Sequence, residues 1–188
     1  MGRWEPDGRG RLEQAALSLF GERGFENTTV SEIALRAGLT ERTFFRYFTD
    51  KREVLFWGAA AFQELLVGAV ASVPASAPPI DAVGAALDAA GTLLEGRRES
   101  ARQRQSVIAA NAELQERELI KLASLGSALA EALRQRGCAA APASLTAEVG
   151  IAVFKVAVER WFDEPNAPAL PELIRASFAE LRDLSASR

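Results

Sequence analysis

Arg42, Thr43, Phe45, Arg46, Tyr47 and Lys51 crowd into one short stretch, and their donors and rings suit the surface of duplex DNA. An arginine can bond guanine O6 and N7 in bidentate fashion, a threonine can meet a phosphate or a thymine methyl, and a lysine serves a phosphate as a point charge. Arg42, nearest the start of the stretch, is the first candidate for base reading. Arg46, one turn later, could read a base or clamp a phosphate. Tyr47 is expected to bury its ring and give its hydroxyl to the DNA backbone, with Lys51 beyond it on a phosphate.

Such side chains need a helix to hold them on one face. Thr40 can cap that helix by accepting from the amide near Thr43, and Phe44, Tyr47 and Phe48 then form its apolar face. A second capped helix precedes it. Thr29 and Glu32 have the spacing of a capping box, Val30, Ile33, Ala34 and Ala37 recur at helical spacing, and Ala37-Gly38-Leu39 makes the turn. The exposed amides at the two starts, near Thr29 and Thr40, are natural phosphate seats. Helices this short do not persist alone, and the stripe Leu12, Ala15, Ala16, Leu19 and Phe20 within Arg11 to Arg23 supplies a third to pack on. The pattern predicts a three-helix unit with a helix-turn-helix.

Charge is consistent with a narrow DNA contact. The chain carries a net −3, yet residues 36 to 52 hold Arg36, Arg42, Arg46, Lys51 and Arg52 against Glu41 and Asp50, a local +3. That excludes an indiscriminate polyanion coat and favours docking at a defined site. Histidine is absent, the single cysteine Cys138 has no pairing partner, and no phosphate-binding glycine loop or nucleophile elbow occurs. No enzyme activity, metal or cofactor is therefore expected. Cys138 is expected in a loop. No apolar run is expected to span a bilayer, and the first residues do not read as a secretion signal, so the cytoplasm is the expected compartment.

The first third of the chain resembles the amino-terminal domain of the TetR family of transcriptional regulators. The resemblance rests on Ala16 to Phe20, Gly24-Phe25, Thr28-Thr29-Val30, Ile33-Ala34, Ala37-Gly38-Leu39, Thr40, Thr43, Tyr47-Phe48 and Lys51, in order and without gaps. Family members often carry tyrosine where this chain has Phe45. A phosphate-bonding hydroxyl is thus expected to be missing, leaving the ring to meet a thymine methyl or to pack internally.

Beyond the motif, periodicity predicts further helices over Lys51 to about Val73, Ile80 to Leu94, Arg97 to Ala110, Leu114 to Gly137, Leu145 to Phe162 and Pro171 to Leu184, and no sheet. The expected architecture is all-α, about nine helices. A DNA-binding domain over residues 1–50 is joined by a long helix to a helical regulatory domain over 51–188. Trp57, Phe62, Leu66, Leu87, Ile108, Leu125 and Phe154 could fill a solid core or surround a cavity. The resemblance implies a cavity for a small effector, mostly apolar, that releases DNA. Arg104, Gln105 and Asn111, polar residues within these segments, could orient a ligand but read first as solvated or structural.

Leu145, Val149, Val153, Val156, Ala157 and Trp161 form one terminal stripe; Leu170, Leu173, Ile174, Ser177, Phe178 and Leu181 form another. Each could pack within one subunit. One motif reads only a half-site, which favours a two-fold dimer through these helices on a palindromic operator, and the resemblance places a four-helix interface there. The expected function is a ligand-responsive regulator, repression being the implied mode. The competing reading is a protein-interaction bundle without sequence-specific DNA binding. The arm carrying Arg3, Trp4 and Arg9 could touch the minor groove or be disordered, and disorder is the expectation.

Overall fold

The computed structural model describes residues 7–163 and 167–186, so the expectation for Arg3 and Trp4 lies outside the described residues. Within them the chain forms α1 (Gly8–Arg23), α2 (Val30–Arg36), α3 (Glu41–Tyr47), α4 (Ala59–Ser72), α5 (Pro79–Glu95), α6 (Arg98–Ala109), α7 (Ala112–Gln135), α8 (Ala140–Asp163) and α9 (Leu170–Ala186). No strand occurs among the described residues.

The chain divides into two compact units. The first is Met1–Ala59 together with Glu99–Glu118, and the second is Ala60–Arg98 with Leu119–Arg188. In the first, Leu12, Ala16, Leu19 and Phe20 of α1, Ile33 and Ala34 of α2, and Phe44 of α3 share one core with Phe48, Val54, Leu55 and Phe56. Val107, Ile108 and Leu114, from the tip where α6 meets α7, complete that core. In the second unit α5, α8 and α9 pack on one another. Gly150 permits the close approach of α8 to α5: a Cβ there would lie 2.4 Å from Val83 Cγ1.

The segment predicted as one helix from Lys51 to Val73 is broken. Val54, Leu55 and Phe56 are consecutive and all buried. The chain buries them with a 3-10 turn at Glu53–Leu55 and starts α4 only at Ala59. At the other end of the chain, α8 begins at Ala140 rather than Leu145. Its first turns are alanines, which carry no readable stripe, and Pro142 is tolerated there. Cys138 lies in the α7–α8 connection, as expected, its amide donating to Leu133 O at 3.1 Å.

The expectation that no run could span a bilayer is corrected. Glu53–Ser72 and Ala140–Asp163 both have the length and composition. Yet the first is interrupted by the turn before Ala59, leaving α4 with 14 residues against the about 20 that a span needs. The second is α8, which buries Ala143, Ala147, Gly150, Phe154, Ala157 and Trp161.

Candidate DNA-binding surface

Two caps build the motif. Thr29 Oγ1 accepts from the Glu32 amide at 3.2 Å, while Glu32 Oε2 accepts from the Thr29 amide at 2.9 Å, so the capping box is closed in both directions. Those bonds from Thr29 hold the Glu32 carboxyl below its usual range, with Arg23 at 2.6 Å adding to them. Thr40 Oγ1 accepts from the Thr43 amide at 3.2 Å and lies 3.0 Å from the Thr43 hydroxyl. Between the two helices Gly38 takes φ 67°, where a side chain would be strained, and the Leu39 amide returns to Ala34 O.

Phe44 and Phe48 anchor α3 inward, which turns Arg42, Phe45 and Arg46 to the exposed side. Thr29 and Thr40 are exposed, and Thr43 and Tyr47 are half-buried. Phe45 is 54% exposed and stands edge-on to Phe44, ring centroids 5.4 Å apart at 81°. Of the two placements expected for this ring, internal packing is therefore not the one found. Tyr47 Oη accepts from Arg46 Nη2 at 3.2 Å.

The cations counted along the sequence are not equally available. Arg36 pairs with Glu22 through both guanidinium nitrogens at 2.9 Å. This contact, aided by the Ser18 hydroxyl, holds the Glu22 carboxyl at about 2 against an ordinary 4.5. Arg52 pairs with Asp50 and with Glu113. Burial pushes the Asp50 carboxyl up, but the bonds from Arg52 and from the Glu53 and Arg52 amides outweigh it and leave it below the usual range. Lys51, expected on a phosphate, instead gives Nζ to Phe25 O at 2.8 Å, Thr28 O at 3.1 Å and Glu26 O at 3.4 Å. An ammonium has three donors, and these carbonyls occupy them. Lys51 thus ties the α1–α2 connection to the end of α3.

What remains for an anion on α3 is Arg42 and Arg46, which meet no carboxylate among the described residues. Arg9 of α1, read from the sequence as part of a loose arm, joins them: its guanidinium lies 5.5 Å from the Tyr47 ring centroid and 5.3 Å from that of Trp57. Thr28 was also missed. Buried to 1% exposure, it donates its hydroxyl to Gly24 O at 2.9 Å and helps to hold the α1–α2 connection. The Arg9 signal is not local in sequence, since its partners are Tyr47 and Trp57, whereas the Thr28 bond to Gly24 spans four residues and lay within reach of a local reading.

The residues proposed from sequence to line a cavity fall into two groups. Trp57 and Ile108 belong to the first unit, Ile108 within its core and Trp57 packed against it. Phe62, Leu66, Leu87, Leu125 and Phe154 lie in the second unit. There Leu66 and Leu87 are fully buried, Leu125 and Phe154 nearly so, and the Phe62 and Phe154 rings sit 5.9 Å apart. Arg104 and Asn111 are structural: Arg104 pairs with Glu118 at 2.9 Å and donates to Leu55 O at 2.7 Å, and Asn111 Oδ1 accepts from the Leu114 amide to cap α7.

Comparison with known proteins agrees with this geometry. The family model described as bacterial regulatory proteins, tetR family, matches residues 13–56, and that described as the MftR C-terminal domain matches residues 77–185. A protein named as the mycofactocin biosynthesis transcriptional regulator MftR, from Mycobacterium tuberculosis, is 26% identical over 170 residues, 89% of this chain and 85% of its own length. The HTH-type transcriptional regulator TcmR of Streptomyces glaucescens is 37% identical over 92 residues, 48% of this chain. That match spans 41% of TcmR's own length. Among solved structures, the transcriptional regulator FadR from Bacillus subtilis, in complex with stearoyl-CoA, shares the fold with a TM-score of 0.67 at 20% identity, covering 92% of this chain and 96% of that one.

Proposed function

The chain belongs to the tetR family of bacterial regulatory proteins, and on that premise we propose a cytoplasmic transcriptional repressor that a small, mostly apolar effector releases from a palindromic operator. The observation that carries the DNA reading is the surface of α3: Arg42 and Arg46 exposed and, among the described residues, without carboxylates, on a helix whose start is capped and whose other face is buried. Arg42 reads a base edge from the major groove, with Thr29, Thr40, Thr43 and Tyr47 on the backbone.

Dimerisation is supported by what α8 and α9 leave uncovered. Their predicted stripes each split in two. Val153, Ala157, Trp161, Leu173, Ile174 and Phe178 turn inward, while Leu145 at 68%, Val156 at 46% and Leu181 at 37% stay exposed, as does Leu184 at 77%, outside the predicted stripes. An apolar surface of this kind on the last two helices suits a second copy of the chain.

For the effector, the support is the apolar set Phe62, Leu66, Leu87, Leu125 and Phe154, together with the long-chain acyl ligand of the FadR structure. Leu66 and Leu87 are packed, so an effector must bind an arrangement in which this core has parted, and it represses DNA binding only by preferring that arrangement. The chain passes between the two units near residues 59, 98 and 118, which gives three covalent routes for such coupling.

The reading is tested by selecting bound duplexes from a random DNA pool. A pseudo-palindrome is expected. Arg42→Ala should then lose about 1 to 3 kcal/mol of operator binding and relax discrimination at one position of each half-site. Retention of no duplex above background would leave the interaction-bundle reading.

A further inference from the structure

Tyr47 is contacted by cations from two separate helices. The Arg46 guanidinium carbon lies 5.0 Å from the ring centroid and its Nη2 reaches the Tyr47 hydroxyl, while the Arg9 guanidinium, from the first turn of α1, lies 5.5 Å from the same centroid. Arg9 is also 5.3 Å from the Trp57 ring, so cation–π contacts link Trp57, Arg9, Tyr47 and Arg46 into one aromatic and cationic ladder within the first unit. Close packing of α1 on Tyr47 sets this spacing: a Cβ on Gly8 would already lie 3.3 Å from the Tyr47 hydroxyl.

Among the described residues no carboxylate answers the charges of the ladder. Arg23, Arg36, Arg52, Arg104 and Arg117 of the same unit each meet a carboxylate. Arg9 and Arg46 are exposed and meet none among the described residues. Asp7, the acid adjacent in sequence, uses Oδ1 to accept from the Gly10 amide at 3.0 Å as the cap of α1. Two like charges held beside one ring repel each other, a cost that an anion bound by both would remove. The polar groups presented are donors: two guanidiniums, and a phenol whose oxygen already accepts from Arg46 and keeps its own proton to give. A group offering only acceptors and negative charge completes the set, and a phosphodiester is such a group.

We propose that Arg9, Tyr47 and Arg46 form a clamp for one phosphate of the operator backbone, and that Trp57 is a positioning residue that holds Arg9 in it. This rests on the DNA-binding reading above. It also moves Trp57 from the effector site, where the sequence placed it, to the DNA-binding unit.

The test measures operator affinity between 50 and 200 mM salt for the full chain, using the duplex recovered by selection and a scrambled duplex of equal length. Arg9→Gln should lower the slope of log affinity against log salt by about one per bound protomer, so that over this range affinity falls roughly threefold less per protomer, or about tenfold less for a bound dimer. It should weaken operator and scrambled DNA by the same factor. Arg9→Lys should restore the slope, because the charge is restored. Trp57→Leu should lower the slope in the same direction, and adding it to Arg9→Gln should produce little further change. An unaltered slope in Arg9→Gln, or a loss of sequence discrimination in that variant, overturns the clamp. Full additivity of the two substitutions overturns the role of Trp57, and the exposed Arg9 substitution decides the clamp even where Trp57→Leu fails to fold. If wild-type protein retains no duplex selectively, the DNA-binding reading itself is what fails.

Discussion

At the scale of single residues, Phe45 separates this surface from one built on hydroxyls. Its ring is exposed, braced edge-on by Phe44 and flanked in sequence by Arg46, so it can offer apolar contact to a base but no hydrogen bond. A thymine methyl is the apolar group that the major groove displays. Replacing single thymines of the selected operator by uracil should cost about 0.8 kcal/mol at one position per half-site, and that penalty should vanish in Phe45→Ala; a uniform scan in wild-type protein would exclude the contact. The caps at Thr29 and Thr40 were legible because a cap and its amide lie three residues apart. The availability of the cations was not. Arg36 is neutralised by Glu22 and Arg52 by Glu113, 14 and 61 residues away, beyond any local charge count. The Glu22 pairing has a pH signature. Its carboxyl titrates lower in the folded chain than its ordinary value, so the stabilisation is complete above pH about 4.5 and is lost as pH falls toward 2. Thermal melts across that window should show a steeper acid loss for wild type than for Glu22→Gln.

At the scale of elements, the tip formed by the end of α6 and the start of α7 is the feature that sequence periodicity did not place. Each helix was legible from its stripe and from the break at Asn111. That Val107, Ile108 and Leu114 pack with Phe44 and Val54 was not, because periodicity reports that a face is buried and not against what. Ion pairs reinforce the seam: Arg117 meets Glu53, and Arg52 meets Glu113. A fragment ending at residue 58 lacks this tip. It should therefore unfold without a cooperative transition and bind no operator, as circular dichroism and gel shift would report; a sharp melt from such a fragment would show that the motif is self-sufficient. The break before α4 carries a related lesson. A continuous apolar pattern was read as a continuous helix, whereas the chain takes a 3-10 turn at Glu53–Leu55 and starts α4 only at Ala59.

At the scale of the molecule, an all-α architecture and its amino-terminal motif were readable from the sequence, while the division of the terminal stripes into inward and outward halves needed coordinates. Ser177 and Phe178 are buried whereas Leu181, one turn on, is 37% exposed, a distinction that hydrophobicity alone does not draw. If the outward half is the dimer seam, Val156→Arg should halve the sedimenting mass and abolish the tight, two-half-site complex, leaving weak binding with a smaller salt slope. An unchanged mass would place the seam elsewhere. The composite first unit also has a consequence for biosynthesis. Its opening 59 residues leave the ribosome well before Glu99–Glu118 do. At roughly 5 to 20 residues per second, the nascent head waits on the order of 3 to 12 s with part of its apolar surface bare. Chaperone capture of stalled chains should accordingly be strong up to about that length and fade once the later segment has emerged.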